Sequence, residues 1–548
     1  MKKKYSPDKL SIKSTHFIRT YVTFLSILCC ISWTDCKGND EAAAIINNKD
    51  ITTNEDSLAY TKCIDPEQTL RKDSTAISDL SDNDLYNIYV KNLDVHWKPV
   101  NTVGVDSYNP QTMQGITKNR SSVILSYKIP HSKSDIYNLV TNYNARPDVD
   151  EDQSNAFQSA LDNISGYDDN GKKGGILIIP KGVYNLKNVC FRSNVMILCQ
   201  PGVIFKPYIS DGYTDKITIF LLGDRKSEKI ENTGLRGILG SRVKFILPEW
   251  GKGITSININ KVEHYIFSDI NFYDQKTIYC CFGFGPGNPK DHTDFPRPTD
   301  GYIGYASSYN CNFGYGLMQI QSARMLHVEH IYSQGGVCYR LETGWNLMNK
   351  YSTQGEGGVF DITGYDINAE DGASAVLMSP HSQQCEGTVC IEKVHARSCE
   401  FSIQVGNGFV AKEKVGNSKT KQYIRGYDED GNNNVTLTPG KFNSQSFIRN
   451  IDVTFGTNAQ CRYSPEIVKY MPEEYMKGIK VYSHGESHPE YLEGVASIAP
   501  VSIKSEEPRA DKAEYVYSID WSKTKITIHN FKYNNGNTIE TMNPILLH

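Results

Sequence analysis

Short apolar runs separated by turn residues dominate the chain from Ile136 onward. The segment DEDQSNAFQSALDNI contains apolar residues at helical spacing, which predicts a short amphipathic helix. The residues that share its apolar face are Ala156, Phe157, Ala160 and Leu161. The run GGILIIPKGVYNL follows, and it predicts a buried strand at Ile176–Ile179, a turn at Pro180–Gly182 and a second strand. The chain therefore begins its ordered part with a helix followed by closely spaced strands.

A loose strand pattern recurs through the rest of the chain, which predicts a β-solenoid. One apolar anchor was taken from each of six segments: Ile270, Ile331, Ile367, Val394, Ile451 and Phe531. The steps between them are 61, 36, 27, 57 and 80 residues. Turns of about 20–30 residues are typical of solenoids, so the longer steps predict extra turns or excursions. The excursions are expected at 408–443 and 462–520.

The opening helix and the GG-strand-P-x-G-x-Y segment resemble the start of pectin-lyase-like right-handed β-helix proteins. The resemblance implies an all-β fold: a right-handed parallel β-helix with an N-terminal capping helix and inserted or C-terminal excursions. We expect the β-helix catalytic domain to span 135–531, after an N-terminal extension at 37–130. Residues 521–548 would form a C-terminal strand and tail.

The N-terminus predicts export. Lys2, Lys3 and Lys4 precede an apolar run of 13 residues from Tyr21 to Trp33, which suits a signal-peptide core and is too short to span a bilayer. Residues 1–36 are therefore expected to be a signal peptide. The cysteines at or after this run are Cys29, Cys30 and Cys36. Lipidation of one of them would tether the chain, so the expected location is secreted or at the cell surface as an outer-membrane lipoprotein.

Composition narrows the class of protein. Hydrophobic residues make up 39% and charged residues 22%, which excludes a disordered chain and a multi-span membrane protein. The formal net charge of -4 gives no whole-chain case for nucleic-acid binding. Of the 14 cysteines, several lie in strand-like runs, and Cys338 and Cys390 are interpreted as small buried core residues.

Candidate chemistry lies in 311–385. Gln319, Glu342 and His381 are spaced so that they would occupy similar positions on consecutive solenoid turns, with Arg340 two residues before Glu342. Neighbouring strands are about 4.8 Å apart, so these side chains could form one polar line. A carboxyl group flanked by Arg, Gln and His can hold a proton and orient a sugar oxygen, which general acid catalysis on a glycosidic bond requires.

These elements, in this order and spacing, resemble the iota-carrageenases of glycoside hydrolase family 82. The resemblance implies hydrolysis of β-1,4 bonds in sulfated galactans with inversion, with Glu342 as general acid and Gln319 and His381 as active-site residues. The family pattern is Glu-x-Asp, with Asp as base, whereas this chain has Gly344 at that position. Another carboxylate would then activate water, and the candidates are Glu356, Asp361 and Asp371.

A sulfated polymer needs cations, and Arg340, Arg324 and His327 are the predicted substrate-binding residues. The expected partner is a sulfated polysaccharide, with no nucleic acid, membrane contact only through a lipid anchor, and a monomeric chain. No cofactor is expected for the chemistry. The family resemblance implies a structural Ca²⁺, for which no ligands are assigned.

Two alternatives stay open at this stage. A polysaccharide lyase acting on an anionic uronate polymer could use Tyr339 and His381 as its Tyr/His pair. A non-catalytic glycan-binding β-helix would agree with the Gly344 departure. A polygalacturonase is disfavoured, because the chain has no RIK element and only Ser483-His484-Gly485 approaches the GHG element.

Overall fold

A computed structural model describes the solenoid and parts of its flanking segments. The described residues are 51–53, 77–95, 100, 125–126, 129–167, 173–223, 229–286, 297–344, 348, 358–385, 387–416, 419–428, 430–462, 480–482, 491–503, 519–530 and 545–547. The predicted signal peptide lies outside them, as does Glu356. No helix within these ranges is long and apolar enough to cross a membrane.

Three α-helices occur in the described residues: α1 at Asp82–Lys91, α2 at Leu139–Tyr143 and α3 at Ser154–Ser165. Helix α3 is the predicted amphipathic helix, and it ends at Gly166, whose φ of 71° closes the C-terminus. Its side chains Phe157, Ala160, Leu161 and Ile164 are fully buried. They pack into the same core as the first solenoid strands, so α3 caps the open end of the solenoid.

Thirty-four strands, β1 to β34 in chain order, account for most of the remaining described residues. The first twelve are Ile51–Thr53, Asp94–Val95, Leu125–Ser126, Ile136–Asn138, Gly175–Ile179, Gly182–Leu186, Val189–Cys190, Val195–Cys199, Val203–Pro207, Ile217–Leu222, Ile230–Gly237 and Val243–Ile246. The next eleven are Ile254–Ile259, Val262–Tyr273, Phe282–Phe284, Thr299–Ile320, Ala323–Glu342, Val359–Glu370, Ser374–Ser379, Gln384–Cys385, Val389–Arg397, Phe401–Val405 and Lys412–Lys414. The last eleven are Lys421–Tyr423, Arg425–Gly426, Val435–Thr436, Lys441–Phe442, Phe447–Thr454, Ala459–Arg462, Lys480–Tyr482, Tyr491–Val495, Ala499–Ile503, Ile526–His529 and Ile545–Leu547.

Twenty-three of these strands form one parallel sheet that coils into a β-helix, which confirms the predicted fold class. One line of register partners runs through Ile270, Ala306, Ile331, Ile367, Val394, Ile451 and Ile526, and all of these except Ala306 and Ile526 are predicted anchors. The 61-residue step is thus two turns. The last anchor is Ile526, whereas Phe531 had been predicted and lies outside the described residues.

Each long strand bends, so the coil has three faces. The register divides β17 among all three: 323–329 and 331–334 pair with β18 on the first and second faces, and Val337–Glu342 pairs with β19 on the third. The bend between the first two faces has residues with left-handed φ of 50–62° on successive turns. They are Asp269, Tyr305, His330, Asp366, Lys393 and Asn450. The face that contains Val337–Glu342, β19 and β22 is called the site face below.

The N-terminal extension packs against the outside of the first face. Tyr89, Leu93, Val95 and Ile129 share a buried cluster with Ile176, Ile178, Met196, Leu198, Ile266 and Tyr302. The Arg236 guanidinium donates to the Asn92 carbonyl at 2.7 Å and to the Asp94 carbonyl at 2.8 Å. The solenoid therefore has an apolar outer face as well as an apolar core, and the extension covers it.

Two excursions leave the solenoid as small antiparallel sheets. The first includes the hairpin of β23 and β24, and it carries Lys412, Lys414, Lys419 and Lys421. The second is a three-stranded sheet in the order β29-β31-β30. The ten cysteines in the described ranges form no disulfide with one another, and Cys338 and Cys390 are buried.

Candidate active site

Side-chain alternation on the site face directs the candidate residues outward. Met318 and Ile320 lie in the apolar core, so Gln319 between them points to the outside. Tyr339 and Leu341 are likewise in the core, and Arg340 and Glu342 point outward.

Gln319, Arg340 and His381 all converge on the Glu342 carboxylate. The Gln319 amide donates to Oε2 at 2.9 Å, and Nη2 of Arg340 lies 2.5 Å from the same oxygen. The second oxygen, Oε1, lies 3.4 Å from Nε2 of His381. Glu342 is only 8% exposed, so this carboxylate is largely removed from water and surrounded by donors.

The environment of Glu342 sets its protonation state. Burial alone would raise the pKa of the carboxyl group, but the Arg340 charge and the His381 hydrogen bond outweigh burial and lower the pKa to about 2. Glu342 is therefore a carboxylate at neutral pH in the free protein. It can donate a proton only if its surroundings change when substrate binds.

His381 is held by the roots of the first excursion. Its backbone has a left-handed φ of 50°, and its carbonyl accepts hydrogen bonds from the Phe409 and Gly440 amides at 2.6 and 2.7 Å. The Phe409 ring lies 4.3 Å from the imidazole, centroid to centroid. His381 is 3% exposed, and its Nδ1 has no hydrogen-bond partner. No pattern in the sequence indicated Phe409, because it comes from an excursion.

Gly344 lies directly against the imidazole of His381. A Cβ built at Gly344 would be 2.7 Å from Nε2 and 2.8 Å from Nδ1, distances that real Cβ atoms do not show. The Asp expected at this position from the family pattern therefore has no room while His381 stays beside Glu342. Gly344 is what allows this histidine to approach the carboxylate.

Of the three candidate bases, the two in the described residues have different surroundings. Asp371 precedes β19, and Glu342 is paired with Ser379 at the other end of that strand. The two ends of β19, Ser374 and Ser379, are five residue steps apart, which is about 16 Å. Asp361 is 3% exposed and accepts hydrogen bonds from the amide and hydroxyl of Thr388 at 3.3 and 3.1 Å.

Two predicted substrate-binding residues lie on the first face, in the part of β17 that pairs with β18. His327 is 1% exposed; its Nδ1 lies 2.8 Å from the Thr363 hydroxyl and its ring stacks on Tyr302. Since Tyr302 belongs to the cluster that the extension covers, His327 is not placed to contact a polymer. The guanidinium carbon of Arg324 lies 5.1 Å from the Phe360 ring, and Arg297, which sequence reasoning missed, lies 4.9 Å from it.

The Tyr/His pair that a lyase would need is not formed. Tyr339 is fully buried in the core, and burial raises its pKa well above the usual range. Its hydroxyl therefore points away from the face on which His381 meets Glu342. Among the described residues, no group of three or more His, Cys, Asp or Glu side chains could hold a metal ion, and the expected Ca²⁺ stays a prediction.

Two curated relatives resemble this chain, and each is an iota-carrageenase. The relative from Zobellia galactanivorans is 28% identical over 344 residues, which cover 62% of this chain and 67% of the relative. The relative from Alteromonas macleodii is 28% identical over 285 residues, 52% of this chain, and the match spans about half of that relative, 55%. No protein-family model matches the chain.

Solved structures agree in fold. An iota-carrageenase complexed to iota-carrageenan fragments has a TM-score of 0.61 at 21% identity, covering 74% of this chain and 91% of that one. An iota-carrageenase of family GH82 from A. fortis has a TM-score of 0.60 at 22% identity, covering 76% and 94%. The resemblance predicted from the sequence is confirmed, and so is the expectation of a glycoside hydrolase.

Proposed function

We propose that this chain is a glycoside hydrolase that cleaves the β-1,4 linkages of a sulfated galactan, of the iota-carrageenan type, with inversion. The observation that carries the proposal is the Glu342 carboxylate, to which Gln319, Arg340 and His381 all point on one outer face of a solenoid. A long regular face suits an extended polymer. The two iota-carrageenase relatives support the same substrate class.

Glu342 is the proposed proton donor to the leaving oxygen. In the free protein it is ionised, because Arg340 and His381 together outweigh the effect of burial on its pKa. A substrate sulfate that pairs with Arg340 would cancel much of that positive charge. Burial would then dominate and raise the pKa of Glu342, which would take up a proton from solvent and pass it to the glycosidic oxygen.

Gln319 and His381 also orient the acid. The Gln319 amide fixes Oε2 through its hydrogen bond, which leaves the proton to reside on Oε1, the oxygen nearer to His381. A fixed acid contributes through orientation as well as through proton transfer.

Inversion requires a second carboxylate about 6.5–9.5 Å from the acid, with a water molecule between them. Asp371 is too far along the strand to act in this way. The base is therefore proposed to be Glu356 or Asp361, of which Asp361 already accepts two hydrogen bonds from Thr388. Replacing each by Ala and adding azide separates them, because azide rescues a variant that lacks only the base.

A panel of sulfated galactans and uronate polymers, assayed by reducing-end release, tests the proposed function. Wild-type protein should release reducing ends from iota-carrageenan, and Glu342→Gln should lower the rate by at least about 10³-fold with an unchanged circular dichroism spectrum. Near-normal turnover by Glu342→Gln would remove Glu342 as the acid. A rise in ultraviolet absorbance during the reaction would indicate the unsaturated product of a lyase.

Calorimetry tests the coupling between sulfate and proton. Binding of product oligosaccharides to the wild-type protein should take up close to one proton near neutral pH, read from the dependence of the heat on buffer ionisation. Glu342→Gln, which has no carboxyl to protonate, should take up none. Equal proton uptake by both proteins would place the titrating group elsewhere.

We also propose that the chain is exported and anchored through a lipidated cysteine. A polymeric substrate has to be met outside the cell, and the basic start followed by the 21–33 apolar run supports export. Fractionation of cells that express the wild type, Cys29→Ser, Cys30→Ser and Cys36→Ser tests this. Release of one variant from the membrane fraction would identify the lipidated cysteine. A wild-type protein found only in the soluble fraction would contradict the proposed anchor.

A further inference from the structure

We infer that Tyr491, on the second excursion, is a positioning residue for Glu342, acting through Phe313, the Gly314 carbonyl and Arg340. The inference rests on the proposed function, because it assigns to the excursion a part in preparing the same carboxylate. Tyr491 acts through these groups, so it is proposed as a positioning residue and not as a catalytic residue.

Successive contacts connect the excursion to the acid. The Tyr491 ring stacks on Phe313 with a centroid distance of 5.6 Å and an interplanar angle of 16°. Phe313 directly precedes Gly314, whose carbonyl accepts a hydrogen bond from Nη1 of Arg340. The other terminal nitrogen of Arg340, Nη2, lies 2.5 Å from Oε2 of Glu342. One guanidinium thus bridges the loop and the acid.

A second set of contacts fixes the same two segments together. Gln460 accepts a hydrogen bond from the Gly336 amide at 2.7 Å and donates to the Cys311 carbonyl at 2.9 Å. Its amide also donates to Glu493 at 2.9 Å, and Glu493 pairs with Lys276 at 2.6 Å. Cys311 is two residues from Phe313, and Glu493 is two residues from Tyr491. The polar contacts of Gln460 and Glu493 therefore fix the two stacked rings relative to each other.

The physical consequence is a restrained guanidinium. Gly314 has no side chain and lies in an irregular part of β16, where the register with β17 shifts between Cys311 and Gly316. Without the ring stack, the position of the Gly314 carbonyl would depend on that loop alone. Arg340 would then lose a fixed acceptor, and its approach to Glu342 would loosen. Misplacement of a catalytic group by about 1 Å can cost up to 10²-fold in rate.

Tyr491→Leu is the test variant, since it removes the ring and keeps an apolar side chain. Tyr491→Phe keeps the stack and is the conservative rescue. Leu492→Ala is the matched control, because Leu492 is buried on the same strand but faces away from Tyr491. We expect Tyr491→Leu to lower kcat roughly tenfold, with little change in KM and with the alkaline limb of the rate profile displaced to higher pH, because Glu342 acts as a general acid. Tyr491→Phe should behave like the wild type, and Leu492→Ala should lower Tm without moving the pH profile.

A substrate-free measurement separates this inference from the proposed function. Infrared titration of the carboxyl band, taken as the difference from Glu342→Gln, reports the protonation of Glu342 directly. The midpoint should rise in Tyr491→Leu and in Phe313→Leu, even if the assayed polymer proves to be the wrong substrate. An unchanged midpoint in both folded variants, or a loss of rate with an unmoved pH profile, would reduce Tyr491 to a packing residue and overturn the inference.

Discussion

Gly344 and His381 share a space that only one side chain can fill, since a Cβ at residue 344 would overlap the imidazole edge. The glycine and the histidine are therefore coupled. A carboxylate at residue 344 and a histidine in contact with Glu342 exclude each other in this backbone conformation. The departure from the family pattern is thus a rearrangement of the acid's surroundings, with His381 in the position that the Asp side chain would need.

Gly344→Ala should displace His381 from Glu342. We expect kcat to fall by about 10- to 100-fold, because the histidine loses its contact with the carboxylate. Steady-state kinetics on iota-carrageenan measures the effect. Gly283→Ala is the control: Gly283 is paired with Gln319 on the same face, and a Cβ there would lie 3.4 Å from the Thr255 methyl group, an ordinary contact. Equal losses in the two variants would contradict the steric account.

Arg340→Lys should impair the acid even though it conserves the charge. The guanidinium contacts the Gly314 carbonyl and Glu342 with different nitrogens, and a single ammonium cannot span both. We expect kcat/KM to fall about 10- to 100-fold, with the alkaline limb shifted to higher pH as the pKa of the general acid Glu342 rises toward its ordinary value. Gln404→Leu, which alters the same outward row two turns away, should leave the limb in place. A wild-type pH–rate profile in Arg340→Lys would show that a positive charge at residue 340 is enough to set the pKa of Glu342.

Glu400 should make the stability of the protein depend on pH. It is 3% exposed, and burial raises its pKa to about 8, although a hydrogen bond from Cys461 opposes the rise. The folded protein thus keeps a proton that the unfolded chain releases above its ordinary pKa of about 4.5. The free energy of unfolding should therefore fall as pH rises between these values, by up to about 1.4 kcal/mol per unit.

Urea unfolding across this range measures the slope. Glu400→Gln should remove the contribution of this residue to the pH dependence of the unfolding free energy and stabilise the protein above pH 8. Glu392→Gln, which replaces a partly exposed carboxylate, should leave that pH dependence unchanged. Parallel curves for the wild type and Glu400→Gln would rule out Glu400 as the source.

His327→Ala should affect stability and leave substrate affinity unchanged. His327 is buried on the first face, where it meets the Thr363 hydroxyl and the Tyr302 ring. Removing it should cost about 1–3 kcal/mol of unfolding free energy, measured by urea titration, with KM for the sulfated polymer within error of the wild type. A large rise in KM would restore His327 as a substrate-binding residue.

Local patterns in the sequence were enough to predict the solenoid. The capping helix follows from the spacing of Phe157, Ala160 and Leu161, and the apolar anchors from Ile270 to Ile451 are register partners. The convergence of Gln319, Glu342 and His381 was also predictable, because a coil of parallel strands brings equivalent offsets together.

What the sequence could not place depended on contacts between distant segments. Arg324 and His327 share β17 with Arg340, yet the strand bends between them and sends them to another face. Sequence spacing does not report such a bend. Phe409 and Tyr491 come from excursions, and the sequence has no periodic pattern that predicts where an excursion returns to the solenoid. The Gly344–His381 overlap arises where two separate turns of the chain meet, and only coordinates reveal it.

The apolar outer face beneath α1 has a practical bearing on how the protein can be shortened. Ile176, Met196, Leu198 and Ile266 would meet water in a chain trimmed to begin at the capping helix. Contiguous apolar surface of this kind promotes self-association. The segment before the solenoid thus shields this surface from self-association. A trimmed enzyme would require polar substitutions on that face to stay in solution.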